Sequence, residues 1–246
     1  DFMDKLEKYS KKLKLGNDFL TEYENISFED RKEFLTKVLE ISVKEQEVNR
    51  KNRLIKQAKF DVVKTFEGYC FDNIQFPEGL LLDDVKTGSF IDKKYNLILY
   101  GPVGTGKTYL ATAIGVEACN QGKKVRFFKI SRLMNEILEA YEKGQQEKFL
   151  NNLKKYDLII LDELGYIPVG EKAAEYLYQV ISECYEQRSL IITTNLEFGK
   201  WNSIFMDKKI TTAILDRLVH YSYLVFFTGE SYRLKNAISR IKGGAL

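Results

Sequence analysis

Gly101-Pro102-Val103-Gly104-Thr105-Gly106-Lys107-Thr108 fits the pattern G-x-x-x-x-G-K-[ST]. It stands between an apolar run at Asn96–Tyr100 and a helical stretch at residues 108–120. Glycines at these places let the backbone turn tightly, so that successive N–H groups point at phosphate oxygens. The helix that follows adds its positive end. In such a loop a lysine at position 107 reaches the β- and γ-phosphates, and the Thr108 hydroxyl ligates Mg²⁺. The pattern arises by chance in about one per cent of chains this long, and more rarely still with a strand before it and a helix after it. Residues Gly101 to Tyr109 are therefore assigned to nucleotide binding.

Working outward, the strand–loop–helix unit is the first of a series. After the helix at 108–120 comes a strand at 124–130. A helix capped by Ser131 then reaches toward Gly144, and a third strand covers 157–161. A helix at 171–187, a fourth strand at 190–194 and a fifth at 224–227 complete the series. Short apolar runs alternating with helices of ten or more residues imply βαβ units and a parallel sheet. Residues 66–246 are read as this α/β domain. Residues 1–65 have a different texture, rich in Lys and Glu, with one Gly and no Pro. Phe34, Leu35, Val38, Leu39 and Ile41 or Ser42 lie on one helical face. Ser27 and Asp30 stand before this segment as an N-cap with an acidic first turn. Two to four short helices are expected here.

A nucleotide site needs a carboxylate on a second strand. Leu158-Ile159-Ile160-Leu161-Asp162-Glu163 places two acids after four apolar residues, at the sheet edge where open α/β folds bind ligands. Asp162 is the candidate metal ligand and Glu163 the candidate general base. A whole strand intervenes between the loop and this acidic strand, so the fourth strand can insert between the two. Its end, Thr193-Thr194-Asn195, then lies between both motifs, and an Asn or Thr there, Asn195 above all, can hydrogen-bond the attacking water or the γ-phosphate. Asn195 also reads as a polar turn residue or helix cap.

Composition bounds the rest. The chain has 246 residues, 44% hydrophobic and 30% charged, enough for a real core and inconsistent with a disordered chain. A formal charge of +3 does not by itself indicate nucleic acid. Cys70, Cys119 and Cys184 are odd in number and far apart. With the single His220 they form neither a disulfide framework nor a zinc site, which fits a reducing cytoplasm. No apolar run approaches the ~18 residues that span a bilayer, and the charged opening residues do not read as a secretory signal. A guanine-reading Asn-Lys-x-Asp is absent, and no acceptor-binding lid of a small-molecule kinase is visible.

These features resemble the P-loop ATPases of the AAA+ class. The stretches LDELGYIPVGEKAAEYLYQVISECYEQRSLIITTNLEFGKWNSIF (161–205) and AILDRLVHYSYLVFFTGESYRLK (213–235) resemble the IstB family of transposition helper ATPases, cousins of DnaC-type helicase loaders. The opening segment LKLGNDFLTEYEN (13–25) and the run from Ser27 to Phe60 also resemble the helical domain of that family. The resemblance implies a five-stranded parallel sheet in the order 5-1-4-3-2, a small N-terminal all-helical domain and an abbreviated C-terminal lid. It implies that Arg217 is an arginine finger reaching the γ-phosphate bound to a neighbouring subunit, and that Arg233 is a second sensor. Arg233 can equally act on a neighbour or contact nucleic acid. Each arginine also reads as a surface ion pair or a helix-end charge.

Residues 49–60, NRKNRLIKQAKF, carry Arg50, Lys51, Arg53, Lys56 and Lys59 with no acid among them. Alone, such a run is a solvated helix surface. The resemblance makes it a candidate surface for DNA phosphates, sequence-independent and salt-sensitive. Lys123, Lys124 and Arg126 form a weaker second patch. The implied function is an ATP-hydrolysing, Mg²⁺-dependent homo-oligomer that assembles on double-stranded DNA, bends or remodels it and recruits a transposase. The alternative is a helicase loader, the same engine with a different client.

Overall fold

A computed structural model describes residues 2–166, 170–205 and 207–232. The chain divides into two compact units, Asp1–Leu54 and Ile55–Leu246. The expected division at 65/66 follows texture, whereas residues 55–65, alike in composition to what precedes them, pack with the second unit.

The first unit contains α1 (Phe2–Leu13), α2 (Asp18–Glu22) and most of α3 (Arg31–Ala58). Asp30 caps α3: its side chain accepts from the Glu33 amide at 2.8 Å, while the Glu33 carboxylate accepts from the Glu29 amide at 2.6 Å. Ser27 does not share the cap; its carbonyl accepts from Lys37. The helix is 28 residues long rather than one of several short pieces. No Gly or Pro falls between residues 17 and 67 to break it, and it ends only where Lys59 turns left-handed at φ 57°.

The second unit is a sheet sandwiched between helices. In chain order come β1 (Ile74–Gln75), α4 (Leu82–Thr87), α5 (Ser89–Asp92), β2 (Asn96–Tyr100), α6 (Lys107–Asn120), β3 (Val125–Lys129), α7 (Ile130–Glu142) and α8 (Gln146–Leu153). They are followed by β4 (Leu158–Leu164), α9 (Glu171–Cys184), β5 (Ser189–Thr194), α10 (Asn202–Phe205), α11 (Lys208–His220) and β6 (Ser222–Phe227). The sheet order is β1-β6-β2-β5-β4-β3. The five longer strands are parallel and run in the expected order, with β5 between the loop strand β2 and the acidic strand β4. The sixth strand was not anticipated. β1 is two residues long and pairs antiparallel with β6, too short to carry an alternation signal. Helix α7 begins one residue before Ser131, with Lys129 at its cap.

The apolar runs are continuous because both sheet faces are covered. Ile159, Leu161, Ile192 and Ile98 face α7, α9 and α11 in one core. On the other side α6 packs against β4 and β5. Gly115, in the middle of α6, has a structural reason. A β-carbon there would come within 2.9 Å of the Phe60 ring and 2.8 Å of Ile160. Phe60, two residues past α3, is inserted beside α6 and meets Phe127 of β3 at 6.1 Å between ring centres. No helix among the described residues is long and apolar enough to cross a membrane.

Replacing Gly115 by Val forces Phe60 or Ile160 aside. It is expected to destabilise the protein by about 1–3 kcal/mol, read as a lower urea midpoint with an unchanged slope.

Candidate nucleotide site

The phosphate-loop sequence leaves β2 at Tyr100 and enters α6 at Lys107. Its first amide, on Gly101, donates to the Thr194 carbonyl at 3.3 Å, which ties the loop to the end of β5. Gly104 and Gly106 have φ of 81° and 98°, a region that L side chains rarely enter. A side chain at Gly104 would also collide with Ser231, and the Tyr232 amide donates to the Gly104 carbonyl at 3.0 Å. The segment after β6 therefore lies across the loop. Arg233 falls just beyond, outside the described residues.

Lys107 is 6% exposed and donates to the carbonyls of Gly101 (2.7 Å) and Pro102 (2.6 Å). The Thr105 hydroxyl donates to the same Pro102 carbonyl at 2.8 Å. Burial pushes the Lys107 ammonium down to about 8, opposed by the charge of Asp162. From the other side Tyr69 donates to the Gly106 carbonyl at 3.2 Å, and its ring lies 4.9 Å from that of Tyr109. Tyr109 is thus fixed to the segment 66–74 beside the loop. The family resemblance offers residues 66–74 as a wall of the site; within them Tyr69 carries no spacing signal that would single it out.

The acidic strand is not a plain strand end. β4 continues to Leu164 through a bulge: Leu161 pairs with Ile192 and Leu164 with Thr194, so Asp162 and Glu163 together face the single residue Thr193. Glu163 sits at φ 64°. The bulge breaks the alternation that would send successive side chains to opposite faces. Thr193 clamps both acids, its hydroxyl donating to Asp162 Oδ1 at 2.6 Å and accepting from the Glu163 amide at 2.9 Å. The Thr108 hydroxyl donates to the same Oδ1 at 2.8 Å.

Asp162 is fully buried, and its Oδ2 has no hydrogen-bond partner among the described residues. Burial raises its pKa, against the pull of the two hydroxyls. An orphaned buried carboxylate oxygen beside a threonine hydroxyl is a hard-oxygen pair that suits a small divalent cation. Sequence named Thr108 and Asp162; it did not name Thr193 as their clamp, since only the bulge register puts it opposite both acids.

Asn195 follows directly on β5, and its Oδ1 is buried without a partner among the described residues. Arg217 lies apart from these groups in its contacts. It donates to the Ala213 carbonyl of its own helix at 3.2 Å and stacks over the Tyr178 ring at 4.7 Å. Arg50, Lys51, Arg53, Lys56 and Lys59 are all exposed. The second basic patch is largely structural: Lys123 pairs with Asp92, and Arg126 is buried and pairs with Glu136 at 3.5 Å. At the carboxyl end of β3, Lys129 pairs with Asp61 at 3.0 Å, a contact that sequence reasoning missed because 68 residues separate the two.

The depressed Lys107 ammonium gives a pH test. A bound polyphosphate stabilises the charged lysine, so its pKa is higher in the complex than in the free protein. Affinity is therefore complete below pH 8 and falls as pH rises through the free-protein value, approaching about tenfold per unit. Titration with a fluorescent ADP analogue between about pH 7 and 9.5 checks this; a flat profile removes Lys107 from phosphate contact.

Comparison with known proteins is consistent with this geometry. A protein from Geobacillus stearothermophilus, described as an ATP-binding protein of insertion sequence IS5376, is 38% identical over 211 residues, covering 86% of this chain and 83% of that one. The corresponding protein of insertion sequence IS232 from Bacillus thuringiensis is 35% identical over 202 residues, covering 82% and 80%. Among solved structures, AMPPCP-bound DnaA from Aquifex aeolicus superposes with a TM-score of 0.53 at 23% identity, covering 74% of this chain and 56% of that one. That likeness shows the fold alone. The family described as IstB-like ATP binding protein matches residues 16–239, and the chain belongs to it.

Proposed function

We propose that the protein is an ATPase that works as a DNA-bound assembly in transposition, hydrolysing ATP at an interface between two copies of the chain. The observation that carries this is the hydrogen-bonded series Thr108–Asp162–Thr193–Glu163, which joins the phosphate loop to a carboxylate suited to activating water.

In this reading the loop from Gly101 to Tyr109 and the amino end of α6 hold the phosphates, and Lys107 exchanges its carbonyl bonds for β- and γ-phosphate oxygens. Thr108 and Asp162 hold Mg²⁺, which when bound offsets phosphate charge. Glu163 takes a proton from water. The water oxygen bonds to the γ-phosphorus, the bond to the bridging oxygen breaks, and ADP and phosphate leave. Asn195, beside this path, orients the water or the γ-phosphate.

Arg217 acts in trans. Its support is the lack of a counter-charge: a half-buried guanidinium over Tyr178, with no carboxylate partner among the described residues, is available to a neighbour's γ-phosphate. Arg233, named from the resemblance, completes the second-sensor position. A finger of this kind contributes about 10³–10⁵ in rate and makes turnover depend on assembly.

Relatives described as ATP-binding proteins of insertion sequences support a transposase as the client; the compartment in this reading is the cytoplasm. Arg50, Lys51, Arg53, Lys56 and Lys59, exposed and without ion-pair partners among the described residues, are assigned to double-stranded DNA phosphates.

Two experiments test this reading. Glu163→Gln and Arg217→Ala are each expected to cut turnover by at least about 100-fold while leaving nucleotide affinity within a few-fold; unchanged turnover in either removes that assignment. Reversing Arg50, Arg53 and Lys56 to Glu is expected to weaken duplex binding and reduce the slope of log K against log salt by about three. Binding that strongly prefers single strands favours the helicase-loader reading instead.

A further inference from the structure

Helices α9 and α11 pack side by side on one face of the sheet. Leu177 and Ile181 of α9 and Ile214 and Leu218 of α11 point into a single core. Tyr178 and Arg217 flank these apolar stripes, next in sequence to Leu177 and Leu218, and both are half-buried. The Tyr178 ring rests against the core, and the Arg217 guanidinium lies over it, 4.7 Å from the ring centre. The two helices are tied a second time nearer their carboxyl ends, where the Tyr185 hydroxyl and His220 Nδ1 stand 2.8 Å apart. Each helix therefore keeps its place along the other, and the ring keeps its place under the cation.

Side chains of a helix lean toward its amino end. Arg217 does so, one of its N–H groups donating to the Ala213 carbonyl at 3.2 Å. α11 runs from the end of β5 back to the start of β6, and both strands are parallel to β2. Its amino end thus lies at the edge of the sheet that carries the phosphate loop, and the guanidinium is directed along the helix toward that edge.

The choice of partner matters for a residue whose charge is used elsewhere. A carboxylate would order an arginine by occupying its N–H donors and cancelling its charge, and would compete with a phosphate for both. An aromatic face orders the cation without neutralising it. With the ring on one face and a carbonyl on one N–H, most of the five donors of the guanidinium stay available, and less side-chain freedom is left to lose when a phosphate engages them.

We propose that Tyr178 is the positioning residue of the arginine finger: its ring orders Arg217 before a neighbouring copy docks and leaves the N–H edge of the guanidinium for that copy's γ-phosphate. The inference rests on the reading of Arg217 as a finger acting in trans and deepens it by assigning what holds the finger.

The test uses the full chain with saturating Mg-ATP and duplex DNA, reading turnover and the affinity for a fluorescent ADP analogue. Tyr178→Leu is expected to lower kcat about tenfold with nucleotide affinity unchanged, and Tyr178→Phe, which keeps the aromatic face, to stay within about twofold of the wild type. In an Arg217→Ala background Tyr178→Leu costs nothing further. Mixed with Glu163→Gln chains, Tyr178→Leu chains recover turnover, because an intact pocket on one copy meets an intact finger on the other; mixed with Arg217→Ala chains they do not. A merely structural role predicts the same loss in both backgrounds and no recovery in either mixture. Either result overturns the proposal, as does a wild-type kcat for Tyr178→Leu. Should Tyr178→Leu fail to fold, Tyr178→Met is read in the same mixtures. If Arg217→Ala chains themselves gain nothing from Glu163→Gln chains, the finger reading falls and this inference with it. If they recover while Tyr178→Leu keeps the wild-type kcat, only this inference falls.

Discussion

A carboxylate with no exposed surface, held by two threonine hydroxyls, organises the edge of the sheet beside the phosphate loop. Asp162 touches α6 through Thr108 and β5 through Thr193, so one buried side chain fixes three elements relative to one another. An isolated buried charge costs several kcal/mol unless hydrogen bonds or a counter-ion compensate it. Here two neutral donors offset part of that cost at Oδ1, and Oδ2 is left buried without a partner among the described residues. The arrangement trades folding stability for electrostatic readiness, as sites that bind polyvalent ions generally do. The bulge in β4 follows from the same constraint. A regular pleat sends successive side chains to opposite faces, and the two-for-one pairing opposite Thr193 removes that alternation for Asp162 and Glu163.

Much of this was legible in the chain itself. Gly101 to Thr108 set the nucleotide loop, the four apolar residues before Asp162 set the second strand, and the strand inserted between them followed from counting βαβ units. Those signals are local: a glycine spacing, a hydrophobic run, a cap. What escaped was set by register or by distant contact. Thr193 is one more polar residue at a strand end until Leu161 and Leu164 are seen to pair on either side of it. Asp61 is one more acid in a charged segment until its partner on β3 is known. The long helix was misjudged for a different reason: amphipathic spacing shows that a helix exists, whereas its length depends on where it is broken, and in a lysine- and glutamate-rich stretch nothing breaks it before Lys59.

The glycine at the centre of α6 has a practical corollary for anyone who wishes to dissect this protein. Helices ordinarily exclude glycine, at about 1 kcal/mol relative to alanine. α6 tolerates one because an aromatic ring from the chain ahead of the sheet occupies the space a methyl group would fill. Ala58, buried, and the ring of Phe60 therefore belong to the packing of the nucleotide-binding unit, although the composition of residues 55–61 marks them as belonging to what comes earlier. A fragment trimmed at the visible change in texture would discard that ring, uncover the flank of the very helix that begins at Lys107, and lose Asp61 with it. A nucleotide-binding fragment that starts ahead of Ile55 keeps its own wall.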